Sequence, residues 1–380
     1  MDDTARTAPS TSAGAALADA PAGAWDIAAF RDGVQATLDT FLDGQVERLV
    51  DLGPDAARLV EEARAAVSGG KRLRAAFCWW GHRAVPAPGG DPAPVDEAAL
   101  LRACAALELL HASALVHDDV MDASDTRRGR PSAHRTFEAE HRAAGWQGDA
   151  EQFGAAAAVL LGDLLLTWSD ELLRTCGLPA ERVAAAMHVL DLCRSEVIAG
   201  QFLDVSVQAR GRADVDAAMT VLRYKSAKYS IERPLHVGAA LAGADAALLG
   251  RLSAFGLPLG EAFQLRDDLL GVYGDPQVTG KPAGDDLVEG KRTVLVALAL
   301  DAAPPADAAL LDAALGTPLS PGQVDRLREV ISASGAADQV EQVIGALVER
   351  SREALAEAGT TAAARSALRA LATAATERAF

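Results

Sequence analysis

Aromatic side chains are scarce in this chain: only 4% of its 380 residues are Phe, Trp or Tyr. Half of the residues are hydrophobic nonetheless, and Ala and Leu dominate among them. Small and straight-chain residues lose little freedom in a helix, so this composition favours helices. We therefore expect an all-α protein with a large aliphatic core.

Cysteine is also rare, and no Cys-x-x-Cys pair occurs. Each of the four cysteines lies in an apolar segment with helical periodicity; they are Cys78, Cys104, Cys176 and Cys193. A disulfide framework or a zinc site would need a tighter spacing pattern. Buried free thiols are therefore predicted.

An excess of positive charge is absent, since the formal net charge is −17. A chain this acidic is not expected to bind nucleic acid, or to bind an acidic membrane through a basic surface. No apolar run follows a basic region near the first residue, so no signal peptide is predicted. No uninterrupted apolar stretch reaches the ~20 residues that a membrane-spanning helix needs. We expect a cytoplasmic protein without stable membrane insertion.

Large apolar side chains are almost missing from residues 1–25, which cannot bury enough surface to offset the entropy cost of ordering. A disordered tail is predicted there. Over residues 26–380 apolar residues recur at helical spacing, without an internal repeat or a convincing strand alternation. This part is predicted to be a single all-helical domain. Within it, residues 135–154 are predicted to form a mobile loop after a short helical entry.

An acidic cluster ends a long apolar helix that is predicted over residues 96–122. Asp118 and Asp122 lie one helical turn apart with Asp119 beside them, so the three carboxylates repel one another. Nearby arginines or divalent cations must compensate this charge. Taken alone, the cluster is more typical of a solvated helix end followed by arginines.

Two further stretches make the acidic cluster more informative. A second acidic pair, Asp267 and Asp268, follows another apolar helix, with Gln264 on the same face. Residues 68–74 combine two glycines with three cations, which gives a compact positive site suited to phosphate. The alternative for residues 68–74 is a helix break followed by a solvated basic turn.

Isolated polar residues interrupt other apolar helices. His111 lies two turns before Asp118 on nearly the same face, and a core histidine is the alternative to a ligand there. Lys225 lies in a helix predicted over residues 214–242, where flanking apolar residues suggest an enclosed position. Gln201 and Asp204 share a helix face and are compatible with an ordinary buried hydrogen-bonded pair.

Together these features resemble the trans-isoprenyl diphosphate synthase family, also called polyprenyl synthetases, most closely bacterial geranylgeranyl diphosphate synthases. The matching residues occur in the family's order over most of the chain. They are Gly69 to Arg74, His111, Asp118-Asp119-x-x-Asp122, Arg127-Arg128-Gly129, Gly162-Asp163, Gly200-Gln201-x-x-Asp204, Lys225-Ser226, Gln264-x-x-Asp267-Asp268, Gly280-Lys281 and Lys291-Arg292-Thr293.

The resemblance implies an isoprenoid-synthase-type bundle of long helices around a central catalytic cavity, in a homodimer. It implies condensation of isopentenyl diphosphate with an allylic diphosphate, head to tail and in the trans configuration. The expected cofactor is Mg²⁺, with about three ions per active site. The partners would be these two diphosphates rather than nucleic acid.

The resemblance also implies roles for individual residues. The expected metal ligands are Asp118, Asp119, Asp122, Asp267 and Asp268. The allylic diphosphate and its reacting end would be contacted by Arg127, Lys225, Ser226, Gln264 and Lys281. Isopentenyl diphosphate would be held by Lys71, Arg74, His111 and Arg128.

One departure concerns the second acidic motif, whose third carboxylate in the family is replaced here by Gly271. We expect the chain to remain active because the first Asp is retained, and Asp275 is a possible partial substitute. The stretch from Gly271 to Pro276, which contains Gly274, is also expected to break the helix. Product length is predicted from Ser113 and Ala114, which are small where farnesyl synthases commonly have aromatics. A geranylgeranyl product is predicted, with a longer-chain or farnesyl product as the alternative.

Two other functions remain open from the sequence. A class I terpene cyclase also ionises an allylic diphosphate, but it has no need for a second diphosphate site. An inactive regulatory subunit of a heteromeric synthase is favoured only by the glycine in the second motif.

Overall fold

The computed structural model describes residues 25–92, 94–211, 214–274 and 284–377, and these residues form mainly long α-helices. The predicted all-α class is confirmed. The predicted tail lies outside the described residues except for Trp25. The Trp25 ring centroid lies 5.0 Å from that of Phe30 and 5.4 Å from that of Trp80. Trp25 therefore packs against the helices, and the predicted tail extends one residue too far.

The first half of the described chain contains seven helices and one short hairpin. The helices are α1 (Ile27–Leu49), α2 (Pro54–Ala66), α3 (Leu73–Ala84), α4 (Glu97–Met121), α5 (Ala133–Ala144), α6 (Ala150–Arg174) and α7 (Ala180–Arg210). The hairpin follows α4 and pairs β1 (Thr126–Arg127) with β2 (Arg130–Pro131).

The second half contains a continuous helical run of mixed geometry, followed by the remaining helices. The run consists of α8 (Val215–Val221), a π-helical segment (Leu222–Glu232) and α9 (Arg233–Ala242). The remaining described helices are α10 (Ala246–Tyr273), α11 (Asp285–Val288), α12 (Val294–Ala302), α13 (Pro305–Ala314), α14 (Pro321–Ala333), α15 (Ala336–Glu357) and α16 (Ala362–Thr376).

The predicted helix over residues 96–122 corresponds closely to α4, which begins after Asp96 caps its first amides. The loop predicted over residues 135–154 is wrong, because most of it belongs to α5 and the start of α6. The buried face of α5 includes His134, Phe137 and His141. Two of these three are histidines, so a pattern based on aliphatic residues does not reveal the helix.

Two hydrophobic clusters form the core, and α10 joins them. Phe255 and Leu259 of α10 belong to a large cluster built mainly from α1, α3, α4, α6, α7 and α9. Leu265 and Leu269 of the same helix belong to a smaller cluster with α12, α14 and α15. The second acidic motif lies on the part of α10 that enters the smaller cluster. The four cysteines are buried and free, as predicted.

Two helices among the described residues, α4 and α6, are long and apolar enough to cross a membrane by length and composition alone. Charged residues interrupt both apolar stretches, Arg102 and Glu108 in α4 and Asp163 in α6. In its most apolar window α4 is 72% buried within the protein, whereas α6 is only 28% buried. The helix α4 is therefore a core helix, and α6 keeps much of its apolar surface exposed.

Candidate active site

The three carboxylates of the first acidic motif lie at the end of α4 and are largely buried. The side chains of Asp118, Asp119 and Asp122 are 17%, 4% and 4% exposed. The alternative of a solvated helix end is therefore wrong. Each carboxylate instead faces a cation from another part of the chain: Lys225, Arg127 and Lys291, respectively.

Lys225 approaches the first motif from the π-helical segment. Its Nζ donates to Asp118 Oδ1 at 3.1 Å and to Asp204 Oδ2 at 2.6 Å. Gln201 Nε2 donates to the same Asp118 oxygen at 2.9 Å. Burial lowers the pKa of Lys225, but the two carboxylates outweigh this effect and raise it. The charged ammonium thus points into an enclosed space, as its apolar neighbours in sequence predicted.

Close backbone contacts fix the π-helical segment on two sides. A Cβ added at Gly200 of α7 would lie 2.5 Å from the backbone nitrogen of Lys225. A Cβ added at Gly260 of α10 would lie 2.5 Å from the carbonyl oxygen of Ala227. Only glycine permits both approaches. A π-helical turn is uncommon and often marks a functional site, and helical periodicity alone does not predict it.

The turn after α11 adds charged groups to which the sequence analysis assigned no role. Lys291 Nζ lies 2.5 Å from Glu289 Oε2, 3.3 Å from Asp122 Oδ2 and 3.6 Å from Asp286 Oδ1. Ser124 Oγ donates to Glu289 Oε1 at 2.8 Å, which connects the end of α4 to this turn. The sequence feature that could have revealed these groups is the dense mixture of acids and cations over residues 285–292.

The second acidic motif lies near the end of α10. Asp268 is 6% exposed and accepts a hydrogen bond from Gln264 Nε2 at 2.9 Å, while Asp267 is half-buried. Burial raises the pKa of Asp268 to about 8, and the nearby Asp286 carboxylate contributes to the same shift. The donor to this buried carboxylate is an amide, whereas in the first motif Asp118 accepts from the Lys225 ammonium as well as from an amide.

The electrostatics of the first motif differ between Asp118 and Asp122. Burial raises the pKa of Asp118, but Lys225 and Lys291 outweigh this and lower it to about 2. Burial and the Asp118 carboxylate raise the pKa of Asp122 to about 6. Asp122 Oδ2 is buried and accepts no hydrogen bond from the described residues.

A buried carboxylate oxygen that accepts no hydrogen bond within the described chain, and shares the Lys291 ammonium with two other carboxylates, fits a hard divalent cation such as Mg²⁺. The donors here are carboxylate oxygens, which Mg²⁺ prefers. No group of three acidic, histidine or cysteine side chains in the described ranges is arranged to hold an ion by itself. Mg²⁺ usually keeps waters and shares substrate phosphates, so such a closed cage is not required.

A cationic site forms where α3, α4 and the π-helical segment meet. His111 Nδ1 lies 3.1 Å from the Tyr229 hydroxyl oxygen. The Arg74 guanidinium lies 4.3 Å from the centroid of the Tyr229 ring, and its Nη2 donates to Ser230 Oγ at 2.7 Å. Tyr229 thus positions both residues that were predicted to bind a diphosphate.

Arg128 of the hairpin approaches the same region. Its Nη1 donates to the Ser68 carbonyl oxygen at 3.0 Å, and its guanidinium packs against Gly70. Burial and the neighbouring arginines, Arg72 foremost, lower the pKa of Arg128. Burial and the same arginines lower the pKa of His111, which is therefore neutral. Mutually repelling cations around a neutral histidine suit an anionic ligand.

Arg72 has a structural role and, unlike Arg74 and Arg128, is not proposed to bind a diphosphate. It is buried, lies 3.3 Å from Glu108 Oε2, and donates to Gln35 Oε1 and to the Val67 carbonyl oxygen, both at 2.5 Å. Its backbone is left-handed, with φ of 53°. Arg72 therefore holds the turn that presents Lys71, which is exposed. The basic turn is partly buried and ordered, so the alternative of a simple solvated turn does not describe it.

The remaining predicted residues are less tightly defined. Ser113 is 3% exposed and Ala114 is half-buried, and both lie on α4 before its acidic end. Ser226 is half-buried beside Lys225. Lys281 lies outside the described residues. The roles of these residues remain predictions.

Comparisons with known proteins identify a family for this chain. A model of the family described as polyprenyl synthetase matches residues 57–333. The solved structure of a geranylgeranyl pyrophosphate synthase from Corynebacterium glutamicum, complexed with isoprenyl diphosphate and magnesium, is 43% identical in sequence. It aligns with a TM-score of 0.90 over 93% of this chain and 100% of that chain.

Characterised relatives differ in product. A geranylfarnesyl diphosphate synthase from Aeropyrum pernix is 33% identical over 291 residues, covering 76% of this chain and 83% of the relative. A geranylgeranyl diphosphate synthase from Mycobacterium tuberculosis is 37% identical over 247 residues, covering 63% of this chain and 61% of the relative. These matches identify a fold and a chemistry, and they leave the product length open.

Proposed function

Because the chain belongs to the polyprenyl synthetase family, we propose that it condenses isopentenyl diphosphate with allylic diphosphates to form geranylgeranyl diphosphate. The carrying observation is the cationic site around Tyr229, which includes His111 of α4, the helix that ends in the acidic motif. His111 contacts Tyr229, and Asp118 follows two turns later. A prenyl diphosphate synthase needs both a metal-assisted ionisation site and a second diphosphate site. A terpene cyclase needs no second diphosphate site, so the cationic site would have no function in such an enzyme.

The acidic groups would bind the allylic diphosphate through Mg²⁺, which supplies charge neutralisation as the leaving group forms. Asp118, Asp119 and Asp122 would bind the Mg²⁺ ions on one side of the diphosphate, and Asp267 and Asp268 would bind them on the other side. In the reaction the bond between C1 of the allylic chain and the diphosphate oxygen breaks, and the electron pair remains on the diphosphate. The double bond of isopentenyl diphosphate then attacks C1 of the allylic chain. The released diphosphate takes the proton that is lost from C2 of the isopentenyl unit.

Protein cations complete the arrangement. Lys225 and Arg127 already contact carboxylates of the first motif and would turn toward the diphosphate oxygens. Arg74, Arg128 and neutral His111 would hold isopentenyl diphosphate, with Lys71 at the exposed edge. We assign Gln264 and Ser226 to polar contacts near the reacting end, and Lys281 to the allylic diphosphate.

The proposed product length depends on the α4 residues before the acidic end. Ser113 is buried and small, and Ala114 is half-buried and small, so neither side chain would block a growing chain in the way an aromatic would. We expect Ser113→Phe to shorten the main product from geranylgeranyl to farnesyl diphosphate. An unchanged product would show that Ser113 does not limit the length of the product.

The test of the activity uses labelled isopentenyl diphosphate and Mg²⁺ with dimethylallyl, geranyl or farnesyl diphosphate as the starter. We expect all three starters to be extended to geranylgeranyl diphosphate, read out as chain length after dephosphorylation. A hydrocarbon released from an allylic diphosphate alone would favour a cyclase. No turnover with any starter would favour an inactive regulatory subunit.

We propose that a second copy of the chain covers α6 and α7. Eight of the sixteen large apolar side chains exposed in the described residues lie on these two helices, among them Leu160 and Phe202 at 62% and 70% exposure. Contiguous exposed apolar surface of this kind marks a partner or a membrane. Leu160→Asp and Phe202→Asp should shift the sedimentation coefficient from dimer to monomer. Leu310→Asp, an exposed apolar position on α13, serves as the control.

We also propose a cytoplasmic location without a nucleic-acid partner or stable membrane insertion. The net charge of −17 supports this, because it opposes binding to polyanions. After cell lysis without detergent, the protein should remain in the supernatant at high-speed centrifugation. Recovery in the membrane pellet would instead assign the apolar surface of α6 to lipid.

A further inference from the structure

The second acidic motif lacks a side chain where the family resemblance predicts its third carboxylate. Gly271 lies four residues after Asp267 on α10, and the helix continues to Tyr273. The helix thus ends at Tyr273, within the stretch predicted to break it, and Gly271 itself is still helical. A side chain at this position would stand one turn from Asp267 on the same helical face. The departure removes a carboxylate without interrupting the helix that presents the motif.

The carboxylate of Asp286 fills the vacant volume. A Cβ added at Gly271 would lie 1.8 Å from Asp286 Oδ2 and 2.4 Å from Asp286 Cγ. Both distances are far below van der Waals contact, so no side chain can exist at position 271 while Asp286 keeps its place. The glycine thus admits a carboxylate from another helix into the position next to Asp267 and Asp268.

Asp286 is held in this position by its own local structure. It lies in the first turn of α11, its backbone carbonyl accepts a hydrogen bond from Lys291 N at 2.9 Å, and its side chain is only 15% exposed. Its Oδ1 lies 3.6 Å from Lys291 Nζ, and the same ammonium lies 3.3 Å from Asp122 Oδ2.

Asp122 Oδ2 is a second acidic oxygen in this region whose charge is only partly compensated, because it shares the Lys291 ammonium with Asp286 and Glu289. The side chain is 4% exposed, and this oxygen accepts no hydrogen bond from the described residues. A buried carboxylate oxygen in this condition calls for a cation or a water. Asp286 therefore faces a region, shared with the first motif, where an additional cation would be coordinated.

We propose that Asp286 supplies the third carboxylate of the second metal site, in place of the side chain that is absent at position 271. The proposal rests on the proposed function only in assuming that the metal accompanies a diphosphate. It replaces the sequence-based suggestion that Asp275 compensates for the glycine. It also removes the one argument for an inactive subunit, because the carboxylate count of the second motif is restored.

The first test measures Mn²⁺ binding by calorimetry in the presence of inorganic pyrophosphate, on the full chain. Asp286→Asn keeps the shape of the side chain and removes its charge, so Mn²⁺ affinity should fall about tenfold. Asp285→Asn, on the same turn of α11, is the matched control and should keep the wild-type affinity. Asp275→Asn should also keep it. An unchanged affinity for Asp286→Asn, or an equal loss in Asp275→Asn, would overturn the proposal.

The second test exchanges the two positions. Gly271→Asp alone should weaken Mn²⁺ binding, because the new side chain and Asp286 cannot occupy the same volume. Combining Gly271→Asp with Asp286→Gly returns the carboxylate to α10 and removes the clash. The double variant should recover Mn²⁺ affinity to within about threefold of wild type. A double variant as weak as either single variant would contradict the assignment.

Melting temperatures separate this role from a purely structural one. If Asp286 only stabilises the turn through Lys291, Asp286→Asn should lower the melting temperature equally in EDTA and in Mn²⁺ with pyrophosphate. If it binds metal, the increase in melting temperature that Mn²⁺ and pyrophosphate produce should itself shrink. Because neither measurement requires turnover, absence of synthase activity in the wild type would refute the proposed function and leave this result valid.

Discussion

The two acidic motifs look alike in sequence and differ in what surrounds them. At the end of α4 every carboxylate faces a cation, and Asp118 has a pKa lowered to about 2. At the end of α10 the buried Asp268 accepts its hydrogen bond from an amide, and burial raises its pKa to about 8. The first motif is thus ionised before any metal arrives. The second becomes fully ionised only when a cation compensates its burial.

The difference suggests a division of labour, in which the two acidic motifs bind metal in different charge states. A paired, ionised motif can receive the diphosphate with its metal ions while protein ammonium groups move to the substrate. A motif that is neutral in part binds metal with release of a proton, which couples metal occupancy to pH. Lys291 lies between the two, because it contacts Asp122 and Asp286.

The largest expected effect is on turnover, and it should be greater at the first motif. Asp118→Asn removes a charge that faces Lys225, and we expect kcat/KM to fall about 10³-fold because leaving-group stabilisation is lost. Asp268→Asn should cost less, about 10²-fold, because part of the free energy of metal binding is used to ionise this carboxylate. Asp301→Asn on the exposed surface of α12 is the control. Equal losses at both motifs would contradict the division of labour.

The second prediction is that the same two substitutions change stability in opposite directions when metal is removed. The pKa of Asp118 is about 2 in the folded protein and about 3.9 unfolded, so it contributes about 2 kcal/mol at pH 7. That contribution is present above pH 4 and is lost as the pH falls toward 2. Asp118→Asn should therefore lower the free energy of unfolding in EDTA.

Asp268 affects the free energy of unfolding in the opposite direction. Its folded pKa of about 8 exceeds the unfolded value of about 3.9, so stability falls as the pH rises from about 4 to about 8. The penalty at pH 7 is about 4 kcal/mol. Asp268→Asn should raise the free energy of unfolding at pH 7 by up to this amount, and the gain should disappear near pH 4. Urea titrations in EDTA at both pH values would measure it, and destabilisation at pH 7 would refute it.

The third prediction concerns the glycine that brings Lys225 to the first motif. A Cβ at Gly200 would lie 2.5 Å from the Lys225 backbone nitrogen, so Gly200→Ala should cost about 1–3 kcal/mol of stability by overpacking. Gly345→Ala on α15 is a matched control, since nothing lies within 4 Å of its added Cβ. It should be stabilising by up to about 1 kcal/mol because alanine favours helices. Thermal unfolding of the two variants gives the comparison directly.

Helical periodicity was enough to predict the helices that carry both motifs, because α4 and α10 bury nearly continuous apolar residues. It also predicted that Lys225 points into an enclosed space. It did not predict the π-helical segment, because the backbone contacts at Gly200 and Gly260 that accompany it join helices distant in sequence. The structural role of Arg72 was missed for the same reason, since its partner Glu108 lies on another helix.

The role of position 271 was the least predictable part of the site. A glycine in place of a carboxylate looks like a loss when only the local motif is considered. Its effect depends on Asp286, which lies fifteen residues later and fills the volume through the tertiary fold. Spacing along one helix contains no information on a side chain that arrives from another.

The smallest expected effect tests the connection between the two motifs. Ser124 Oγ, at the end of α4, donates to Glu289 Oε1 at 2.8 Å, and Glu289 in turn lies 2.5 Å from Lys291 Nζ. Ser124→Ala should cost about 1 kcal/mol, because the hydroxyl is mostly buried and its hydrogen bond is lost. Ser195→Ala, an exposed serine that bonds within its own helix, is the control and should change stability by less than about 0.5 kcal/mol. Equal effects would mean that this hydrogen bond does not contribute to holding Glu289 or to connecting the two motifs.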